Sequence, residues 1–504
     1  MSVTREEITQ VYVSTFNRAP DATGLEYWYE TGLAIEQIAA SFTDQPETKE
    51  MYPTTMDNKT LVNAIYVNIF NHKADSAGLE YWSDSLDNGD ISRSTMILAI
   101  GNGATGTDKT ILENKTEVGI YHAGRMLNDL DKATDIMSGV NETDESVSTA
   151  KDTINSLSNF DLTVNKDTIV NGFLDDIMQG DALSTTQTYT TGDRIDGGDG
   201  EDTLVLTLGV GGSDPVALIK NVETVKLTSL NPFENHSLNI SNWEDVETIE
   251  IVNTAGATII SNANDEFKAI TINGLSQTAI QSINVTDDIF TGSYDTVYIT
   301  LSEASPDAIA RVGISDSNGE GVIEKYKISS KNNSGTILGD NVSGVALSIV
   351  DNISSIYVYG DSDISLLATG GRGITRVDAS SLDAGIEYTS TGSSGTYILG
   401  GTKRDEITSL YANDKIKGGK GADLINLKAV TQTSQIIEYK ELGDSGVTTA
   451  SADKIVGFET TVDKLSFDKL DAGTTNNFYN STSIASMVET AVAAANSGEL
   501  KGHT

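Results

Sequence analysis

The strongest constraint on this chain lies at residues 400–426, GGTKRDEITSLYANDKIKGGKGADLIN. The stretch divides into three nonapeptides. The first and third follow Gly-Gly-x-Gly-x-Asp-x-apolar-x, with Lys403 in place of one glycine, and the middle one keeps Asp414 and Ile416. Asp405, Asp414 and Asp423 stand nine residues apart, each two residues before an isoleucine: Ile407, Ile416 and Ile425. This period predicts a flattened coil in which successive aspartates alternate between two sides, so that Asp405 and Asp423 stack on one side. Gly400, Gly401, Gly418, Gly419 and Gly421 permit left-handed turns and close approach of neighbouring backbones. The isoleucines point inward and fill the coil.

Carboxylates stacked beside glycine-turn carbonyls predict an oxygen cage suited to a hard cation, calcium. Nonapeptides of this kind are the repeat of a calcium-binding parallel β-roll. The register recurs at 188–205, where Asp193 precedes Ile195 and Asp202 precedes Leu204. The turn between them adds Asp196, Gly197, Gly198, Asp199 and Gly200 to the candidate ligands. Beyond the nonapeptides, SADKIVGFETTVDKLSFDKL (451–470) reads as a strand, a Gly-Phe turn and a second strand. Asp453 and Asp463 flank that turn and complete the candidate calcium ligands.

Charge agrees with a cation-loaded chain. The 504 residues carry 33 Lys and Arg against 73 Asp and Glu, a net charge of −40. Such a chain repels nucleic acid and anionic membrane surfaces, and it repels itself unless cations bind. A solubilising acidic surface would account for the charge alone, but not for the glycine-aspartate register. No cysteine is present, so disulfides and thiolate metal sites are excluded. MSVTREEITQ lacks the basic and apolar regions of a classical signal peptide, and no apolar run approaches a membrane span. Either a cytosolic place or leaderless export is therefore expected.

Residues 1–157 read as all-helical. Thr4 and Glu7 form a capping box, and Ile8, Val11, Tyr12, Thr15 and Phe16 mark one helical face. VYVSTFNRAPDATGLEYW (11–28) repeats as IYVNIFNHKADSAGLEYW (65–82), an offset of 54. Each copy predicts helix, turn and second helix, with further helices at 33–43, 91–100, 113–129 and 143–157. Trp28 and Trp82 are equivalent, either as core anchors or as a sugar-stacking surface. From about 160 onward short β-type segments recur between Gly, Asn, Asp and Ser. NVETVKL (221–227) and DVETIEI (245–251) are near copies, and the series continues at 267–274, 281–286, 295–301, 323–328, 346–350, 354–360 and 373–380. The spacing predicts a β-solenoid or a stacked sheet. A last helical spacing occupies 483–500. The fold class expected is α+β multidomain: an all-α N-terminal domain, then a long β-rich region of β-solenoid and parallel β-roll. The divisions expected are 1–157, 158–206, 207–395, 396–430 and 431–504.

Catalytic patterns are missing. His72, His122, His236 and His503 lie in no His-Glu-x-x-His motif, and there is no Gly-x-Ser-x-Gly elbow or phosphate-binding Gly-Lys-Ser/Thr. GNGATG at 101–106 follows a helix rather than a strand, so it reads as a loop. The expectation is a non-enzymatic protein.

Three features together carry a resemblance. The chain resembles the surface-layer and RTX-type proteins that Gram-negative bacteria export by type I secretion. The repeated Tyr…Phe-Asn-x-x-x-Asp-x-x-Gly-Leu-Glu-Tyr-Trp unit is similar to their N-terminal helical domain of unknown function. GDRIDGGDGEDTLVL (192–206) is similar to the start of their β-region, and the DKIVGFE…DKLSF hairpin (453–467) to the module after their calcium repeats. The middle, 207–395, resembles them only in its recurrent Val-Glu-Thr-apolar strands.

The resemblance implies a structural protein on the outer cell surface, secreted through the type I apparatus. It implies an N-domain bound to lipopolysaccharide or another surface glycan, and a β-region joined with copies of itself in a calcium-dependent two-dimensional lattice. The alternative is a secreted adhesin or biofilm protein without a lattice; a third reading is an exported enzyme with a site in 207–395. Two departures stand out: the glycine repeats are few and partly degenerate, and the chain ends at Lys501-Gly502-His503-Thr504, which leaves a truncated secretion signal open.

Overall fold

The first helix begins where the sequence puts it. Thr4 Oγ1 accepts from the Glu7 amide at 3.1 Å, and Glu7 Oε2 accepts from the Thr4 amide at 2.9 Å. This reciprocal cap satisfies two amides that a helix start leaves without partners. Ile8, Val11, Tyr12, Thr15 and Phe16 of Arg5–Phe16 are all buried. The computed structural model describes residues 3–157, 160–229, 234–252, 258–263, 266–275, 296–305, 309–312, 325–333, 336–338, 341–343, 345–349, 353–368, 373–390, 395–410, 413–428, 434–440, 444, 453–459, 462–467 and 500–501. Met1–Asp161 with Ile169–Ile177 and Asp196–Asp202 form one compact unit; Leu162–Thr168, Met178–Ile195 and Thr203–Thr504 form another. The stretch 158–206 is thus shared between the two units.

The 54-residue repeat is a repeat of structure. Arg5–Phe16 and Asn58–Phe70 end on Asn17 and Asn71, both left-handed with φ of 51° and 64°. Asparagine tolerates that conformation better than most residues. Asp21 and Asp75 then cap Ala22–Glu30 and Ser76–Asp87, accepting from Gly24 and Gly78 amides at 2.8 Å and 2.7 Å. A Cβ on Gly24 would lie 2.6 Å from Tyr12 Oη, and one on Gly78 3.1 Å from Tyr66 Oη. Glycine in Gly-Leu-Glu-Tyr-Trp is therefore a packing requirement.

Trp28 packs edge-on to Phe42 at 5.3 Å and Trp82 packs against the core around Ile65 and Met96. The tryptophans are core anchors, and the neighbouring Tyr27 and Tyr81 are the exposed rings, at 61% and 64%. Lys115, on Gly106–Gly124, is fully buried between the copies. Its Nζ donates to Asn17 Oδ1 at 3.0 Å, Asn71 Oδ1 at 2.8 Å and Asn68 O at 2.7 Å. Burial lowers its pKa to about 8, and three oxygens meet its three protons at neutral pH.

The helices expected at 33–43, 91–100 and 143–157 form as Ile35–Thr43, Arg93–Asn102 and Asp144–Leu157. The one expected at 113–129 runs Gly106–Gly124 instead, and Met126 at φ 55° ends it. Pro46–Met51 and Leu130–Ser138 form two further helices beyond those expected. No helix among the described residues is long and apolar enough to cross a membrane.

Among the described residues the β-region is built of parallel strands, apart from the antiparallel pair Thr336–Leu338 and Asn341–Ser343. Thirteen, from Ile177–Ala182 through Thr203–Leu208, Thr224–Ser229 and Thr248–Val252 to Lys464–Phe467, make one sheet in chain order. The near-copy Val-Glu-Thr segments are successive rungs: Thr224 pairs with Thr248, Val225 with Ile249 and Leu227 with Ile251. Inward residues stack as Leu204, Val225, Ile249, Ile270 and Ile299, each buried. Alternation along each strand places these apolar side chains inside and threonines, lysines and glutamates outside.

A second sheet of seven strands, Ile309–Val312 to Lys454–Val456, closes the coil, and in the nonapeptide stretch the chain enters the two sheets alternately. Within the thirteen-stranded sheet the shortest rung pairs Tyr397 with Lys415 and the longest Lys325 with Ser355. The fold is an N-terminal helical region followed by a long parallel β-solenoid. The segment 281–286 and most of the helix read at 483–500 lie outside the described residues; Leu500–Lys501 is a strand beside Phe458–Glu459.

One expectation is corrected. DKIVGFE…DKLSF is not a hairpin: Lys454–Val456 joins the seven-stranded sheet on Leu424–Leu427, while Lys464–Phe467 joins the other sheet on Ile436–Tyr439. The chain continues around the coil at Gly457, φ 82°, where a Cβ would lie 2.1 Å from Leu427 O.

Lys115→Met should test the buried cation of the helical unit. It leaves two asparagine oxygens and one carbonyl without their donor, a loss of about 2–4 kcal/mol. Denaturant titration followed by the helical circular dichroism signal should show it, with the β-signal midpoint unchanged.

Candidate metal centre

Each nonapeptide aspartate sits at the entrance to a strand: Asp405 before Glu406–Ser409, Asp414 before Lys415–Lys417 and Asp423 before Leu424–Leu427. Nine residues carry the chain from one sheet to the other, so Asp405 and Asp423 share a side. The Asp405 amide donates to Asp423 Oδ1 at 2.9 Å, the Asp423 amide to Asp453 Oδ1 at 3.1 Å, and the Ile386 amide to Asp405 Oδ1 at 2.7 Å. Across the coil the Thr396 amide donates to Asp414 Oδ1 at 2.8 Å, and the Gln435 amide to Asp463 Oδ1 at 2.9 Å. Asp453 and Asp463 therefore extend the two columns, one each, rather than flanking a hairpin turn. All five aspartates are buried.

The glycine turns press oxygen atoms against these columns. A Cβ on Gly400 would stand 2.0 Å from Gly418 O and 2.2 Å from Asp405 Oδ2. One on Gly418 would stand 2.2 Å from Asp423 Oδ2. Gly421 has φ +140°, and its hydrogen faces Lys403 O at a point only 2.3 Å from a would-be Cβ. The departure at Lys403 thus keeps its carbonyl in the turn while its side chain leaves toward Asp383, 3.7 Å away. Gly419 packs on Gly401 O and Gly401 on Ala384 O in the same way.

Three stacked carboxylates out of water are unstable as anions. Burial, then the charge of Asp423, raises the Asp405 pKa well above the usual carboxylate value, against amide bonds from Ile386 and Gly401 that lower it. Burial and Asp453 push Asp423 to about 8, and burial pushes Asp453 to about 7. Asp414 is also raised by burial, although Ser390 and Ser409 hydroxyls donate to it. Asp423 Oδ2 has no hydrogen-bond partner. The column needs protons or a cation. Its oxygens suit calcium, a hard cation that accepts carbonyls as readily as carboxylates. Among the described residues no three His, Asp or Glu side chains converge on one point. Calcium here would be held by Asp405, Asp423 or Asp453 with carbonyls of the glycine turns, and in the opposite column by Asp414 or Asp463.

The earlier register is also present, in a different state. Asp193 is saturated: its carboxylate accepts from the Thr190 amide at 2.6 Å, Thr190 Oγ1 at 2.9 Å and the Asp167 amide at 3.0 Å. Asp202 Oδ1 accepts from the Asp176 amide at 2.7 Å. Buried Asp176 is bonded by Arg125 Nη1, a guanidinium where a metal column would hold a cation. Asp196 Oδ1 accepts a long bond from the Gly198 amide, 3.3 Å, and exposed Asp199 lies 3.6 Å from Arg5 Nη2. These two stand apart from the columns. Gly197, Gly198 and Gly200 form the turn, Gly198 against Gly172 O and Gly200 against Leu174 O. Asp167 and Asp176 belong to the register and were missed. Their signal was the nine-residue spacing alone, since the glycines around them are nearly all replaced.

Residues 39–104 match the model of a domain of unknown function, DUF4214, which covers the second copy of the helical repeat. No curated protein matches the chain.

Linkage fixes the pH response. The folded column holds protons up to about pH 7–8, whereas unfolded aspartate releases them near 4, so without metal stability falls as pH rises through that window. The melting temperature of the β-signal in chelator should drop between pH 5 and pH 8.5. Asp423→Asn keeps an acceptor for the Asp405 amide and removes one charge. It should raise the chelator melting temperature at pH 8 by several degrees and shrink the gain on adding calcium. An unchanged pH slope would remove the column as its source.

Proposed function

We propose that this chain is a structural protein of the outer cell surface whose β-solenoid folds on calcium and assembles with copies of itself into a two-dimensional lattice. The observation that carries the reading is the buried column Asp405–Asp423–Asp453, with raised pKa values and an unpartnered Asp423 oxygen in a glycine-carbonyl cradle. A charge of −40 and the absence of cysteine support it. Bound calcium supplies positive charge that lets the carboxylates ionise inside the coil. The chain's own residues do the rest: amides of Asp405 and Asp423 fix the carboxylates, glycines bring carbonyls close, and Ile407, Ile416 and Ile425 exclude water.

The environment then decides where folding happens. Extracellular calcium sites bind at about 0.1–1 mM, far above the calcium inside a cell. At low calcium the column resists closure, and the chain passes the type I secretion apparatus extended. Outside, binding energy becomes folding energy. The helical repeat, with its own Lys115-centred core, attaches to lipopolysaccharide or another surface glycan. No catalytic step is assigned to any residue.

Calcium titration of the chelated chain at pH 7.5 should raise the β-signal and release protons, read as a buffer-dependent heat in calorimetry. Electron microscopy of the calcium-loaded protein should show an ordered sheet that disperses in chelator. Isolated fibrils in its place would favour a secreted adhesin, and a melting temperature indifferent to calcium would end the proposal.

A further inference from the structure

A band of cations crosses the outer face of the thirteen-stranded sheet. Tyr298 pairs in register with Lys327 and Lys327 with Tyr357; Arg376 pairs with Tyr397 and Tyr397 with Lys415. Cations lie over the rings: Lys327 over Tyr298 at 5.0 Å, Lys325 and Arg376 over Tyr357 at 5.4 Å and 5.9 Å, and Arg376, Lys415 and Lys440 over Tyr397 at 5.3 Å, 5.2 Å and 5.5 Å. The band spans seven strands, about 29 Å at roughly 4.8 Å per step.

Its charge runs against the rest of the chain. Among the described residues Lys325, Lys327, Arg376, Lys415 and Lys440 form ion pairs only with Asp378, on Arg376, and Glu438, between Lys415 and Lys440. Among the described residues neither Lys325 nor Lys327 makes an ion pair. In a chain of net charge −40, a positive strip with uncompensated lysines is complementary to the net acidic charge that another copy carries. The tyrosine faces are occupied by cations, so the rings fix the cations in rows rather than offering planes to a sugar.

We propose that this band docks the acidic exterior of a second copy of the chain. The proposal rests on the assembling role above and adds the surface. A strip this narrow covers less than the ~800 Å² per partner of a stable interface, so it sets register and approach within a wider contact.

The test uses the full chain in about 5 mM calcium, above the ~1 mM limit for extracellular sites, with assembly followed by light scattering. The double variant Lys325→Glu with Lys327→Glu should assemble at least about tenfold more slowly, with unchanged β-signal and melting temperature. Raising NaCl from about 0.05 M to 0.5 M should slow the unmodified chain more than the variant. If the Glu variant fails to fold, Lys325→Gln with Lys327→Gln decides, with a smaller slowing expected. Assembly of a folded variant at the unmodified rate overturns the docking surface and leaves the lattice standing. An unmodified chain that stays monomeric in calcium overturns both. Variant-sensitive binding of a polyuronate, with assembly unchanged, overturns it in favour of a glycan site.

Discussion

Much of the β-region depends on one hydrogen bond made again and again: a backbone amide at the start of a strand donates to an aspartate carboxylate one coil onward. It links Asp405 to Asp423, Asp423 to Asp453, Thr396 to Asp414, Gln435 to Asp463, Asp167 to Asp193 and Asp176 to Asp202. A strand entrance is where the sheet ladder has not yet begun, so its amide would otherwise lack a partner. The carboxylate fills that gap and fixes the register of one coil on the next. A related bond forms at strand exits, from the Asn221 amide after Leu218–Lys220 to Asp245 and from the Asn332 amide after Lys325–Lys331 to Asp361.

That bond places charge inside the protein, and its consequences differ by position. Asp193 is quieted by three donors and Asp176 by a guanidinium. Asp405, Asp423 and Asp453 stand in one column, where burial and neighbouring carboxylates raise their pKa values. One structural element thus serves as a plain coil staple near the start of the solenoid and as a metal candidate near its end. What separates the two is the surroundings of the carboxylate, not the aspartate.

The helical unit solves a parallel problem with the opposite charge. Two helices end on left-handed asparagines that a single buried lysine bridges. Duplication of the repeat made the two caps, and Lys115, outside both copies, joins them. Such a cation is strongly held while its three oxygens remain and strongly destabilising if one side is removed.

The sequence alone determined the capping box at Thr4, the duplicated helix-turn-helix, the parallel coil and the alternation of Asp405, Asp414 and Asp423, because each is a short-period pattern that local geometry converts directly into shape. It could not separate Asp196 and Asp199 from Asp193 and Asp202, since all are acidic residues within one turn; only folding decides which face inward. It read Lys454–Phe467 as a hairpin because two strands and a glycine turn look alike in hairpins and coils. Asp176 and its partner Arg125, 51 residues apart, carried no joint signal. The cation band escaped as well, since Tyr298, Lys327, Tyr357, Arg376 and Tyr397 are scattered along a hundred residues and meet only when strands stack in register. Tertiary structure decided these matters because partners in a coil are set by rung length, and rung length varies from turn to turn.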